Sequence, residues 1–526
     1  MIFSQITQQA GEVASIAQAI PYQADALGCY QQLSADSPYS LLLESAEIDS
    51  KDNLKTLMLL DAAVRIECQD QTVTVTAVSD NGLAVLDFLS AQFPSNATRQ
   101  AKQLVVEFTR PDPFLDEDSK LLCANPLSVL RVLQQSLKSQ SDEPFAIFLG
   151  GVIGYDMVAV VEELPQVPVG ENACPDYLFY LAETLLVLDH QSKQSRLVGN
   201  VFCGEHAMVS CFGIGKRLEQ LSRLLASAPT FASAAATGKQ PLAVSVDISD
   251  QDFVAQVEQL KQNIVAGDVF QVVPSRCFSV DCACPLSAYA KLKQQNPSPY
   301  MFFLRDPAFT LFGASPESAL KFAADSRQVE IYPIAGTRRR GFNALGQIDR
   351  DLDSRIELEL RQDNKEKAEH LMLVDLARND VARISVPGSR YVKELLKVDR
   401  YSYVMHLVSR VVGQLKPQLD ALHAYQACMN MGTLVGAPKV RAAELIRHVE
   451  GKRRGSYGGA VGYLSGNGDF DSCIVIRSAY VANGRAHIQA GAGVVYDSVA
   501  QAEADETRSK AQAVVSAILA AQGAKA

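Results

Sequence analysis

Two pairs of glutamates are spaced to act together. Glu366 and Glu369 lie three apart in Asn364-Lys-Glu-Lys-Ala-Glu-His-Leu-Met-Leu-Val374, and Glu503 and Glu506 lie three apart in Ala502-Glu-Ala-Asp-Glu-Thr-Arg508. On a helix, residues three apart share a face. The first stripe runs on into Leu373 and Leu376, the second into Lys510, Ala513 and Ala517, so both acidic pairs open stripes that turn apolar. Carboxylates entering a buried stripe call for a cation, because an unpaired buried charge is very costly. Two helices presenting such pairs can hold a hard, oxygen-preferring ion such as magnesium. Acids also collect in the first turn of a helix for dipole reasons alone, and spacing does not separate the two readings.

Three further features carry chemistry. Arg477, inside the apolar run Ser472-Cys-Ile-Val-Ile-Arg-Ser-Ala479, needs an anionic partner, and its fork suits a carboxylate of either the protein or a ligand. Glycines cluster in Gly455-Ser-Tyr-Gly-Gly459 and in Gln489-Ala-Gly-Ala-Gly-Val-Val495. Glycine lets a ligand reach backbone N–H groups, but neither stretch opens a helix after a strand, so a dinucleotide fingerprint is excluded and tight sheet packing is the alternative. His406, in Tyr401-Ser-Tyr-Val-Met-His-Leu-Val408, is either a satisfied core histidine or an acid–base group.

These residues need elements to position them. The spacing predicts a helix capped by Ser249, with Asp252 three residues on, apolar positions at Phe253, Val257, Leu260 and Ile264, and a stop at Gly267. The C-terminal part reads as a meander. Strands are predicted over 459–464, 472–481 and 486–496, with turns at Ser465-Gly-Asn-Gly468 and Asn483-Gly484. A last helix follows, capped by Ser498 with Gln501. There is no regular βαβ alternation and no fixed-period repeat, so the class is α+β. The stretch 226–241, rich in Ala, Ser, Pro and Gly, buries little area and reads as a linker between an N-terminal domain, 1–225, and a second domain, 242–520.

Bulk properties bound the function. The net charge of −10 argues against nucleic acid and anionic membranes as main partners, and it makes an anionic substrate require local cations or a metal. The first fifty residues hold no Lys or Arg, so no secretory n-region is visible, and the longest apolar stretch, 145–155, is too short to span a bilayer. The 11 cysteines are scattered and form no zinc pattern, which fits reduced cytosolic thiols and a cytoplasmic location.

Several long motifs in order give the chain a family resemblance. They are Tyr332-Pro-Ile-Ala-Gly-Thr-Arg338, Glu366 to Asp380, Asp399 to Val412, Met431-Gly-Thr-Leu-Val-Gly-Ala-Pro-Lys439, Gly455-Ser-Tyr-Gly-Gly459, Ile474-Val-Ile-Arg-Ser478, Gln489 to Val494 and Glu503 to Lys510. Together they resemble the component I family of anthranilate synthases, chorismate-using enzymes, from about residue 30 to about residue 515. The resemblance implies an α/β/β/α sandwich of largely antiparallel sheets and conversion of chorismate and ammonia to anthranilate and pyruvate. It implies a magnesium site with Glu369 and Glu506 as direct ligands, and Glu366 and Glu503 direct or through water. Arg477 and Tyr457 match residues that grip the enolpyruvyl carboxylate. Gly491, Ala492 and Gly493 match backbone donors to the substrate, Gly336 and Thr337 line the pocket, and Lys510 stands near the anionic groups. Glu317, in Phe312-Gly-Ala-Ser-Pro-Glu317, matches the acid that protonates the departing C4 hydroxyl. His406 matches the position tied to pyruvate loss, and Thr433 lies near the ring. Leu41-Leu-Leu-Glu-Ser-Ala-Glu47 and Asn296-Pro-Ser-Pro-Tyr-Met301 resemble the family's tryptophan-inhibitor site, which places Glu44, Ser45, Lys55, Pro299, Tyr300, Met301 and Tyr463 there.

Related activities are distinguishable by residue. Aminodeoxychorismate synthase component I carries a nucleophilic Lys where this chain has Ala335, and isochorismate and salicylate synthases carry a Lys base where it has Gln271. A non-catalytic amino-acid sensor on the same fold is disfavoured because each catalytic position is filled. No Gly-flanked nucleophilic cysteine with partner His and Glu is evident, so ammonia is expected from a separate glutamine amidotransferase subunit.

Overall fold

The computed structural model describes residues 6–7, 9–45, 54–233, 243–401 and 403–523. Among the described residues, 23 strands form one branching, almost wholly antiparallel hydrogen-bonded network, and the short strands Gln271–Val272 and Gly436–Ala437 pair separately. Residues alternate between two sides of these strands, as a pleated chain requires. Leu57, Leu59, Leu185, Val187, Phe302 and Leu304 belong to one core built almost entirely of strand residues. Their neighbours Met58, Leu60, Leu186, Leu188, Met301 and Phe303 face a second core, shared with Leu218 and Leu221 of the helix Ala207–Leu225 and Val514 and Ile518 of the helix Ala500–Ala521. A third core packs the helix Asn364–Ile384 against other strands. A strand-only core between two helix-covered cores is the expected α/β/β/α layering.

Pairing crosses the stretch 226–241. The strand Ser40–Glu44 pairs with Tyr300–Arg305, Glu44 opposite Met301, and Phe148–Ile153 pairs with Ala460–Ser465. Phe231 packs on the second core and its N–H donates to Asp25 at 2.8 Å; residues 234–241 of that stretch lie outside the described residues.

The helix after that stretch forms as predicted. It spans Asp250–Val265, and Ser249 Oγ accepts from the Asp252 N–H at 3.1 Å. Phe253, Val257 and Leu260 are buried, and Gly267 follows at φ +84°. Two predictions need correction. The run 472–481 is not one strand but parts of two, Phe470–Ile474 and Ser478–Ala482. Between them the Ile476 N–H turns back to the Ile474 carbonyl at 3.0 Å, and Arg477 takes φ +51°. An unbroken apolar sequence hides this break, because the β-branched residues Ile474, Val475 and Ile476 read as strand throughout. Ser498 does not cap the last helix: its Oγ accepts from the Val495 N–H at 3.0 Å, and the helix starts at Ala500 without a side-chain cap. The return strand is also shorter than predicted, Arg485–Gly491.

Among the described residues no disulfide joins any of the 11 cysteines. Among the described residues no helix is long and apolar enough to cross a membrane.

Candidate active site

A cavity of about 480 Å³ opens where the C-terminal elements converge, and both acidic pairs line it. Glu366 and Glu369 come from the first turns of the helix Asn364–Ile384, Glu503 and Glu506 from those of Ala500–Ala521. Leu373 and Ala517 are buried further along the two stripes, as the sequence pattern required. Asp363 caps the first helix, its Oδ1 accepting from the Lys365 and Glu366 N–H groups at 3.0 and 3.1 Å.

The four carboxylates crowd one another. Burial raises the Glu369 pKa, and the charges of Glu366 and Glu506 add to the rise. Glu503 is raised by burial and by Glu506, against a hydrogen bond from Ser498. Two of the four have protein cations: Glu366 pairs with Arg338 at 2.9 Å and Glu506 with Lys510 at 2.6 Å. Among the described residues no three acidic, His or Cys side chains form a ready-made ion cage. An oxygen-only donor set whose members repel each other still fits a hard divalent cation that keeps part of its water.

The same cavity holds the acid–base groups. Glu317 sits in the turn between the strands Thr310–Ser315 and Ser318–Ala323, where the Ile474 N–H fixes its carbonyl at 3.0 Å. Its carboxyl is buried and accepts from Thr433 Oγ1 at 3.1 Å. Burial pushes its pKa up to about 8, against the lowering effects of Thr433 and Lys510. His406 is opposite Thr337 in the pairing of Val404–Gln414 with Ile334–Arg339, and its Nδ1 lies 2.9 Å from Thr337 Oγ1. Burial, then the charge of Arg477, hold its pKa down at about 4. At neutral pH the site therefore holds a protonated carboxyl and an uncharged imidazole, two environments that push their pKa values in opposite directions.

Arg477 lines the cavity from the break between its two strands and donates to the Lys510 carbonyl at 2.8 Å. Burial holds its pKa below the ordinary arginine value. Unlike Arg338 and Arg454, it has no carboxylate within ion-pair distance among the described residues. Among the described residues, therefore, no carboxylate forms the ion pair that the sequence expectation called for. Tyr457 is buried beside it, under the Arg454 guanidinium, whose carbon stands 5.5 Å from the ring centre. A Cβ on Gly491 would stand 2.9 Å from the Tyr457 hydroxyl and 2.8 Å from the Pro274 carbonyl, so the wall comes this close only with glycine there. Lys510 Nζ donates to the Gly491 carbonyl at 3.0 Å.

Gly336, Thr337, Thr433 and Gly493 also line the cavity. Ala492 stands behind them: it is fully buried and its N–H is taken by the Pro274 carbonyl at 3.1 Å. Ala335 and Gln271 line the cavity, so no lysine stands at either discriminating position. Sequence reasoning missed Lys365, Ser509 and Gln489 as lining residues, although each is adjacent to or within a quoted motif.

A second cavity of about 370 Å³ is lined by Glu44, Ser45, Lys55, Tyr300, Met301 and Tyr463. Tyr463 stacks on Phe148 with ring centres 5.3 Å apart. Glu44 is buried and accepts from Tyr289 at 2.7 Å and Lys293 at 2.5 Å. Pro299 is next to Tyr300 but not among the lining residues, and Ala46 and Glu47 lie outside the described residues.

Comparison with known proteins gives concordant matches. The profile of the chorismate binding enzyme family matches residues 86–516. Anthranilate synthase component 1 of Vibrio cholerae is 57% identical over 508 residues, covering 96% of each chain. The protein of that name from Vibrio parahaemolyticus is 55% identical over 513 residues, covering 97% of this chain and 94% of its own. The crystal structure of anthranilate synthase component I from Streptococcus pneumoniae superposes with a TM-score of 0.68 at 31% identity, covering 89% of this chain and 94% of that one.

Proposed function

We infer the activity of this chain from its family and its cavity: it belongs to the chorismate binding enzymes, and it converts chorismate and ammonia into anthranilate and pyruvate. The observation that carries the chemistry is that two buried groups, Glu317 and His406, line one cavity, where burial pushes their pKa values in opposite directions.

The reaction divides between these two groups. Ammonia attacks ring C2 while the C4–O bond breaks. Glu317 gives its proton to the leaving oxygen, which departs as water. His406 then takes the C2 proton, the C3–O ether bond breaks as the ring aromatises, and the released enolpyruvate takes a proton at its methylene carbon to become pyruvate. Arg477 and Tyr457 hold the enolpyruvyl carboxylate. Glu369 and Glu506, with Glu366 and Glu503 beside them, would hold magnesium in the same cavity. A magnesium ion there would neutralise the ring carboxylate of the substrate, which lets an acidic protein bind a dianion. Ala335 supports amination by free ammonia, since no amine side chain stands at that position.

The name component 1 on the relatives implies a companion component, and a glutamine amidotransferase subunit is the proposed ammonia source. The second cavity is the proposed tryptophan site. Its aromatic floor of Tyr463 on Phe148 suits an indole, while Ser45 and Lys55 offer polar contacts to an amino acid. Pro299 would act through the placement of Tyr300. Because the cavity joins the Ser40–Glu44 and Tyr300–Arg305 strands, an effector there can bias how the two sides of the sheet pack.

The test is direct. Purified protein with chorismate, ammonium and magnesium should produce anthranilate fluorescence, and glutamine should replace ammonium only when the amidotransferase subunit is added. Formation of aminodeoxychorismate or isochorismate instead would overturn the assignment.

A further inference from the structure

The Glu366 carboxylate is held from two sides before any ion arrives. Its Oε1 accepts from Arg338 at 2.9 Å. Its Oε2 lies against Gly336, where a Cβ would come within 3.1 Å of it. Gly336 has φ +74° and sits at a break in the register between Ala335 and Thr337. That irregularity brings the strand's backbone up to the carboxylate. The same Arg338 fork reaches Asp363 Oδ2 at 2.7 Å, and Asp363 is the residue that caps the helix carrying Glu366 and Glu369. Arg338 therefore ties one strand to the helix's first turn and to its first acid at once. Glu369, one turn on, makes no ion pair among the described residues.

The three side chains of this clamp are between 23% and 31% exposed. Pairs that exposed contribute little to stability. The geometry is instead that of a second layer around an ion site, where partners of the ligands set ligand orientation.

We propose that Arg338 is a positioning residue for the divalent-cation site, orienting Glu366 and the capped first turn so that the glutamates meet the ion in one arrangement. The proposal rests on the reading of the four glutamates as an ion site. Arginine is required because its planar fork spans Glu366 and Asp363 together, which a lysine ammonium cannot do in the same geometry.

Charge and geometry predict opposite results, which makes the test sharp. Removing a positive charge next to carboxylates should by itself tighten cation binding. Loss of orientation should weaken it, typically by about 10- to 100-fold for such partners. Magnesium chloride is titrated calorimetrically into the full-length protein without substrate, using the parent, Arg338→Gln, Arg338→Lys and Glu369→Gln. The expected result is a Kd at least about tenfold higher in both Arg338 variants, the lysine variant included although it keeps the charge. Arg338→Gln binding as tightly as the parent or more tightly overturns the proposal, and so does Arg338→Lys matching the parent. Should the glutamine variant fail to fold, the lysine variant decides alone. A parent that binds no magnesium, or a Glu369→Gln variant that binds it normally, refutes the ion-site reading, and the role of Arg338 falls with it.

Discussion

The Thr433 hydroxyl donates to Glu317 Oε1 across 3.1 Å, in a pocket where burial has pushed the Glu317 pKa up to about 8. The hydrogen bond favours the ionised carboxylate, so it limits that rise. Thr433→Val should raise the Glu317 pKa further and move the alkaline limb of the kcat/KM profile to higher pH. In the parent that limb should fall near pH 8, because the acid must hold its proton before the C4 oxygen leaves. A limb at the same pH in both proteins would remove Glu317 as its origin.

The same group links activity to stability. Its folded pKa of about 8 lies above the ordinary 4.5, so the native state binds this proton more tightly than the unfolded chain. The associated stability is complete below pH 4.5 and is lost as pH rises through about 8. Glu317→Gln cannot ionise. It should gain Tm relative to the parent at pH 9 but not at pH 5, while losing roughly a hundred- to ten-thousand-fold in rate. Equal Tm differences at the two pH values would mean that the group is not buried in this way.

The metal prediction follows from the crowding of the glutamates. Glu369→Gln and Glu506→Gln each remove one charge from a mutually repelling set, so the variants should fold normally. Each should lose most of its anthranilate formation, with the loss deepest at limiting magnesium. Near-parental rates in both variants at limiting magnesium would sink the assignment.

Feedback should be separable from catalysis, because the second cavity shares no lining residue with the first. Ser45→Ala and Met301→Thr should relieve tryptophan inhibition several-fold with little change in uninhibited rate. Tryptophan binding as tightly to both variants as to the parent, by calorimetry, would place the inhibitor elsewhere.

How much of this was legible in the sequence depends on the length scale of each signal. The Ser249 cap and the stripes behind Glu366 and Glu503 were legible because helix periodicity and capping are local. The break at Ile476 and Arg477 was not, since the strands on either side of it pair with different neighbours and only the apolar run is visible in sequence. Arg477 was singled out for the right reason, an arginine among apolar residues, but placed in a strand that does not exist there. The clamp on Glu366 was invisible for the same reason: Arg338 and Asp363 are 25 residues apart, and only the fold brings them together. The pKa values of Glu317 and His406 come from burial, which no motif states directly.

The last prediction concerns the division of labour in the cavity. Amination needs an acid at the C4 oxygen, and Glu317 is protonated up to about pH 8. Pyruvate loss needs a group at the C2 proton, and His406, held down at about 4, is uncharged at neutral pH. His406→Met should slow the second step more than the first, so the amino intermediate builds up and leaves the enzyme. Glu317→Gln should stop the first step, so nothing accumulates. A positioned acid or base is worth roughly a hundred- to ten-thousand-fold, which is enough for the two patterns to separate by chromatography of chorismate–ammonium reactions. Thr337→Val supplies a finer check. It removes the partner 2.9 Å from His406 Nδ1 and leaves the imidazole in place, so it should give a weaker form of the His406→Met pattern. Equal loss of anthranilate in His406→Met and Glu317→Gln, with no intermediate from either, would leave the overall reaction standing and make His406 a packing residue.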